Sequence, residues 1–217
     1  MDYRPPADQG LQLLYQDEHI IAVDKPAGLL AVPGKGPQHL DSLSWRVQQR
    51  YPSALVVHRL DMATSGIMLL ALNKAMQRAL SKLFRERLIE KCYIAEVAGE
   101  LLPLQGEIDL PLITDWPNRP RQMVDLQQGK PALTRFRRLG YDETRDTSRV
   151  ELSPVTGRSH QLRVHMQALG HAIVGDRLYA DTIWCAVSPR LLLHATNLRL
   201  QHPVSGQAIE IHSTPPF

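Results

Sequence analysis

The spacing of apolar and polar positions changes several times along the chain, and each change marks an element. Leu13 to Val23 reads as two strands broken at Gln16 to His19, with a turn at Lys25-Pro26-Ala27-Gly28 behind them. Asp41 or Ser42 can cap a helix that runs to about Arg50 and turns Leu43, Val47 and Tyr51 inward. Gly66 to Leu72 is too short and too uniformly apolar for an amphipathic helix, which predicts a strand buried on both faces. From Lys74 to Arg87 the period lengthens. Met76, Leu80, Leu83, Phe84 and Leu88 keep the three-four spacing of a core stripe, while Arg78, Lys82, Arg85 and Arg87 occupy the other face.

Lys91 to Val97 alternates as a strand with Tyr93, Ala95 and Val97 on one side; Leu133 to Leu139 and Arg149 to Leu152 are further strands. Thr156 or Ser159 can cap a helix reaching Leu169, closed by Gly170 where a left-handed residue ends a helix. Leu191 to Ala195 is a strand, and Leu198 to Leu200 pairs with Ala208 to Ile211 across the His202-Pro203-Val204-Ser205-Gly206 turn. Helices interspersed with hairpins indicate an α+β fold with a mixed, largely antiparallel sheet. No repeat, low-complexity tract or Gly/Ser linker interrupts the 217 residues, so one catalytic domain is expected.

Composition narrows the class. Hydrophobic residues at 43% and charged residues at 22% are ordinary for a globular chain and exclude a disordered or fibrous one. The longest apolar run, Ile67 to Leu72, is far short of the ~18 residues a membrane span needs. Asp2, Pro5 and Pro6 give no charged leader before an apolar stretch, so no secretory signal is expected and the protein should stay in the cytoplasm. Cys92 and Cys185 are too few for a disulfide framework or an all-Cys metal site. A net charge of +3 says little about partners, but 19 of the 25 cations are Arg. The guanidinium fork binds phosphate bidentately and stacks on bases, which makes an RNA or phosphate partner plausible.

Most common chemistries lack their residues. His160 and His165 are five apart, with no H-E-x-x-H or C-x-x-C spacing, so no metal site is expected. Ser65 has no G-x-S-x-G frame, and neither a phosphate-binding nor a dinucleotide-binding glycine loop occurs. What remains is a carboxylate among cations. Asp61 precedes the buried strand in a loop, where catalytic residues collect, although an Asp that caps a turn would look the same. Arg158 and Arg163 lie at a helix start, where the dipole opposes cations; ordinary surface charges are the plainer alternative.

Four segments decide between these alternatives. Asp24 to Gly34 (DKPAGLLAVPG), His58 to Gly66 (HRLDMATSG), Lys91 to Ala95 (KCYIA) and Thr156 to Met166 (TGRSHQLRVHM) resemble, in this order, the motifs of the RluA-type pseudouridine synthases. The loop Asp115 to Arg121 (DWPNRPR) and the tail Pro189 to Ala195 look most like the dual-specificity members that act on ribosomal and transfer RNA. The motif nearest the start is reached within 24 residues, so no separate N-terminal RNA-binding domain is expected.

The resemblance implies a single catalytic domain of the pseudouridine synthase fold. It also implies isomerisation of uridine to pseudouridine in RNA, with no cofactor or metal. By motif position Asp61 is the essential carboxylate, and Arg163 is the guanidinium that keeps it ionised against desolvation. Tyr93 stacks on the target base and Leu162 contacts it from the other side. The uridine leaves its stack to react, and Arg59 fills the gap. Arg158 and the face around Arg78, Lys82 and Arg85 contact phosphates, and His58 orients the loop. The expected partners are a tRNA anticodon stem-loop and a hairpin of large-subunit rRNA, bound by a monomer with no membrane involved. Two rivals stand beside this reading: a non-enzymatic RNA-binding protein on the same fold, which would not require Asp61, and another base-flipping enzyme such as a methyltransferase, which would need a cofactor pocket.

Overall fold

The computed structural model describes residues 3–217, so the reading of the chain's start at Asp2 lies outside the described residues. The chain divides into two compact units, one made of the residues up to Lys91 with Ala195–Pro216, the other of Cys92–His194 with Phe217.

In the first unit Leu13–Gln16 (β1) and Ile20–Lys25 (β2) pair antiparallel. They break where the apolar pattern breaks, because the Asp17 carboxylate accepts from the backbone N–H groups of His19 and Ile20, both at 2.7 Å. Leu43–Arg50 forms α1; Ser42 caps it by accepting from the Trp45 N–H at 3.3 Å, while Asp41 pairs with Arg46 instead. The short Leu55–Val56 (β3) pairs with the end of Ser65–Ala71 (β4), and β4 also pairs with β2 from Ile20↔Ala71 to Lys25↔Gly66.

Every residue of β4 is buried, as its unbroken apolar run predicts. Ile67, Leu69 and Ala71 pack with Met76 and Leu80 of α2 (Lys74–Arg85), whereas Met68 and Leu70 pack with Leu43 and Val47 of α1. Each of these Ile, Leu and Met side chains contributes roughly 1.5–3 kcal/mol on burial, so β4 is a firm anchor for the loop that leads into it. Asn73 caps α2 by accepting from the Met76 N–H at 2.8 Å. The expected continuation through Arg87 and Leu88 does not occur. Arg87 adopts φ 61° and the N–H groups of Arg87 and Leu88 bond back to Phe84 and Leu83, a left-handed stop that leaves Leu88 58% exposed and outside the core stripe.

In the second unit Glu90–Ala98 (β5), whose first two residues belong to the first unit, pairs antiparallel with Thr147–Pro154 (β10). β10 pairs with Leu133–Asp142 (β9), and β9 with Gln105–Asp109 (β6). A small hairpin, Leu112–Thr114 (β7) and Gln122–Val124 (β8), stands beside these strands in the chain. Gln161–Ala168 is α3, and it corrects the expected start. Neither Thr156 nor Ser159 caps it; His160 occupies that place at φ 55° with no side-chain cap. The Thr156 hydroxyl is engaged elsewhere, donating to Gln161 Oε1 at 2.7 Å and accepting from the Leu133 N–H at 2.9 Å. Gly170, at φ 85°, ends α3 as expected. After Thr182–Ala186 (α4), the expected strand at Leu191 to Ala195 and the one at Leu198 are a single strand, Leu193–Gln201 (β11), whose residues from Ala195 onward return to the first unit. There it pairs with Ala208–His212 (β12) in the register Leu198↔Ile211 and Leu200↔Ile209. None of the helices among the described residues is long and apolar enough to cross a membrane.

Candidate active site

The first unit holds Asp61 on a loop secured from both sides. Asp61 is half-buried, and the Thr64 N–H bonds to its carbonyl at 3.1 Å to close a turn. Beneath it lies Lys25, fully buried at 0% exposure, whose ammonium donates to the carbonyls of Leu29 at 2.7 Å, Pro26 at 3.0 Å and Met62 at 3.1 Å. Three carbonyl dipoles solvate a charge that water cannot reach, and one of them belongs to the residue after Asp61. The Met62 carbonyl also accepts from the Gly28 N–H at 2.8 Å, and Gly28, at φ 85°, supplies the left-handed turn this approach requires. Two separate motifs of the chain, DKPAGL and HRLD, thus become one rigid corner.

His58 ties the loop to the core from the other side. Its Nε2 accepts from the Leu69 N–H of β4 at 2.9 Å, which leaves its proton on Nδ1, and its ring lies against Phe84 of α2 with centroids 4.4 Å apart. Burial, reinforced by the charge of Lys91, pushes its pKa down to about 3. His58 is therefore neutral throughout the physiological range. Gly66 closes the segment: it has φ 111°, and a Cβ there would run into the Ala195 backbone. Arg59 projects from the same loop and is exposed.

The second unit holds the remaining predicted residues. Tyr93 is half-buried on β5, opposite Leu152 of β10. Arg158 is exposed ahead of α3, its Nε donating to the Pro131 carbonyl at 3.1 Å and its N–H to Gln161 Oε1 at 3.0 Å. Gln161 also donates to the Leu133 carbonyl and Thr134 Oγ1, both at 3.0 Å, so the turn before α3 is stitched to β9. Leu162 and Arg163, in the first turn of α3, are 7% and 4% exposed.

Arg163 has a partner that its motif does not contain. Its Nε and Nη2 donate to the two carboxylate oxygens of Asp176, both at 2.7 Å, and Asp176 is fully buried. The same carboxylate accepts from the Leu178 and Tyr179 N–H groups at 2.9 and 3.2 Å. The Arg163 guanidinium lies 5.0 Å from the centre of the Tyr179 ring, and the Tyr179 hydroxyl meets His160 Nδ1 at 2.7 Å and accepts from the Gln122 N–H at 2.8 Å. Asp176 and Tyr179 are the residues that motif reading misses; the only local signal is the Gly175-Asp176 pair, where a Cβ on Gly175 would strike the Arg190 carbonyl.

Among the described residues no three His, Cys, Asp or Glu side chains gather into a group that could hold a metal ion. Burial, with help from Glu151, pushes the Cys92 thiol up to about 12, far from a nucleophile. Several arginines are committed to carboxylates: Arg135 to Glu107 and Arg138 to Glu100 at 2.8 Å, Arg137 to Glu151 at 3.0 Å and Arg149 to Glu96 at 2.7 Å. On α2, Arg78, Lys82 and Arg85 are all exposed.

The sequence profile of the RNA pseudouridylate synthases matches residues 19–168, the stretch that carries Asp61, Tyr93, Arg158, Leu162 and Arg163. The chain belongs to this family. RNA pseudouridylate synthases are isomerases that convert uridine to pseudouridine within RNA, so of the rival readings the enzymatic one holds over the non-enzymatic RNA-binding protein. The chain is 52% identical over 216 residues to the dual-specificity RNA pseudouridine synthase RluA of Escherichia coli (strain K12), covering 100% of this chain and 98% of that protein. It is 47% identical over 220 residues to the protein of the same name from Haemophilus ducreyi, covering 100% and 99%. Among solved structures, human RNA pseudouridylate synthase domain containing 1 superposes with a TM-score of 0.82 at 31% identity, covering 99% of this chain and 87% of that one. The α+β architecture is that of the pseudouridine synthase fold.

Proposed function

We propose that this chain isomerises a uridine in the anticodon stem-loop of tRNA and another in a hairpin of large-subunit rRNA, acting as one catalytic domain and a monomer in the cytoplasm. The bond from ribose C1′ to N1 of uracil breaks, the base turns in place, and C1′ bonds to C5, whose proton is lost as N1 gains one. Atoms and electrons balance within the nucleotide, so the reaction calls for no cofactor. Asp61 is the essential carboxylate, as nucleophile or as charge stabiliser, and Arg163 is the guanidinium that keeps it ionised. Tyr93 stacks on the uracil and Leu162 packs against it. The target base leaves its stack, Arg59 takes its place, and Arg158 with the exposed cations of α2 contacts phosphates.

One observation carries this reading: Asp61 sits on a corner fixed by Lys25 and His58, in a chain whose family performs this isomerisation. A turn-capping aspartate would not need such a scaffold. The substrates rest on the names of the bacterial relatives. The experiment incubates the protein, without added cofactor, with a uridine-labelled anticodon stem-loop, intact tRNA and the rRNA hairpin. Pseudouridine in all three is expected. No conversion in any would remove the activity, and a stem-loop that is inert beside a reactive tRNA would remove local recognition.

A further inference from the structure

The hairpin β7–β8 carries at its tip a pair that no step above uses. Trp116 is 64% exposed, although an indole is among the most costly side chains to leave in water. Its loop is not slack. The Asp115 N–H bonds to the Arg121 carbonyl at 3.0 Å, the Asn118 N–H to the Asp115 carbonyl at 3.1 Å, and the Asn118 amide to both Asp115 carboxylate oxygens at 3.0 and 3.1 Å. The base of the hairpin is tied down by the bond from the Gln122 N–H to the Tyr179 hydroxyl. A rigid loop thus displays an indole it could have folded inward.

The Arg119 guanidinium lies over that indole, 4.5 Å from its centre, and Arg121 lies 5.5 Å from the centre of the Tyr179 ring. The loop's acidic residue, Asp115, is occupied by Asn118, so the chemistry offered outward is an indole with a guanidinium over one face and Arg121 elsewhere in the same loop. A nucleotide matches this on both counts: its base stacks on the ring and its phosphate meets the guanidinium. A protein side chain would match only one.

We propose that Trp116 and Arg119 form a base-stacking platform for an unpaired nucleotide of the RNA substrate other than the reacting uridine. The platform contributes affinity and substrate choice, and Trp116 takes no part in bond making. This rests on the reading that RNA is the substrate, and the experiment keeps the two apart. Trp116→Ala, Trp116→Phe and Arg119→Gln are compared with the unaltered protein on an anticodon stem-loop, following pseudouridine formation and RNA binding. In parallel, a Trp45→Phe/Trp184→Phe protein, which keeps Trp116 as its one indole, is titrated with the same RNA and its fluorescence recorded.

Trp116→Ala should raise KM roughly 5- to 150-fold, the span observed for losing one base–aromatic stack, with the loss in kcat/KM carried by KM. Trp116→Phe should retain most of the affinity. Arg119→Gln should weaken binding and flatten its salt dependence, and the Trp116 fluorescence should be quenched on RNA addition. Unaltered KM in Trp116→Ala, or fluorescence indifferent to saturating RNA, overturns the platform even though the unaltered protein makes pseudouridine. Quenching by RNA in a protein that makes no pseudouridine upholds the platform and sinks the proposed activity.

Discussion

Asp61 and His58 sit three positions apart, and the proposed reaction asks opposite things of them. In that reading Asp61 carries the charge. Asp61→Asn removes the charge and keeps the shape, so pseudouridine formation should fall on the order of a thousandfold or more while the RNA dissociation constant stays within a few-fold. Near-normal turnover would exclude the carboxylate from the reaction. His58 must stay neutral, because its Nε2 accepts the Leu69 N–H and its pKa lies at about 3, below the ordinary 6.5. The unfolded chain therefore takes up a proton that the folded protein resists. The stability this withholds is intact above pH 6.5 and drains away as the pH falls from 6.5 towards 3. Urea unfolding of His58→Gln should show a shallower loss between about pH 7 and about pH 5, by up to about 1.4 kcal/mol per pH unit. Parallel slopes for the two proteins would mean His58 is not the group that titrates.

At the scale of elements, α3 depends on residues that follow it. His160 holds a left-handed backbone that costs a non-glycine residue ~1–3 kcal/mol, and its ring is held by Tyr179 19 residues later. Arg163 one turn on is paired with Asp176, 13 residues later. Asp176→Asn should therefore destabilise the protein by about 3–5 kcal/mol in denaturant unfolding, since the buried guanidinium loses the carboxylate charge that accepts both of these hydrogen bonds. A change under about 1 kcal/mol would show that the pair contributes little to the fold. The helix α2 is the contrast. Its cap, its apolar stripe and its cationic face all lie within its own sequence, and only its last turn differs from the pattern, because Arg87 stops it early.

At the scale of the whole molecule, part of the arginine excess is engaged in ion pairs. Arg135, Arg137, Arg138 and Arg149 face carboxylates, and Arg163 is buried against Asp176, so these do not read as phosphate contacts. Arg59, Arg119 and Arg158, with Arg78, Lys82 and Arg85 of α2, are exposed, and they are the cations that the proposed reading assigns to RNA. Affinity for a stem-loop should fall with salt by about 0.7–0.9 in log–log slope for each phosphate neutralised, and Arg78→Gln/Arg85→Gln should lower that slope. An unchanged slope would move the phosphate path off α2.

The sequence alone determined whatever depends on neighbours along the chain: the doubly buried β4, the β11–β12 hairpin, the stripe of α2, and the motif that singles out Asp61. Local periodicity encodes burial directly, and a motif is a local string. The tertiary structure decided what depends on distant partners. It placed Met62 against Lys25 across 37 residues, chose His160 over Thr156 and Ser159 as the start of α3, and supplied Asp176 to Arg163. The elements β6, β7 and β8 also waited for it, being too short to show a period. A charge can be buried only where opposite charge or aligned dipoles converge on it, and that convergence is a property of the folded chain in three dimensions.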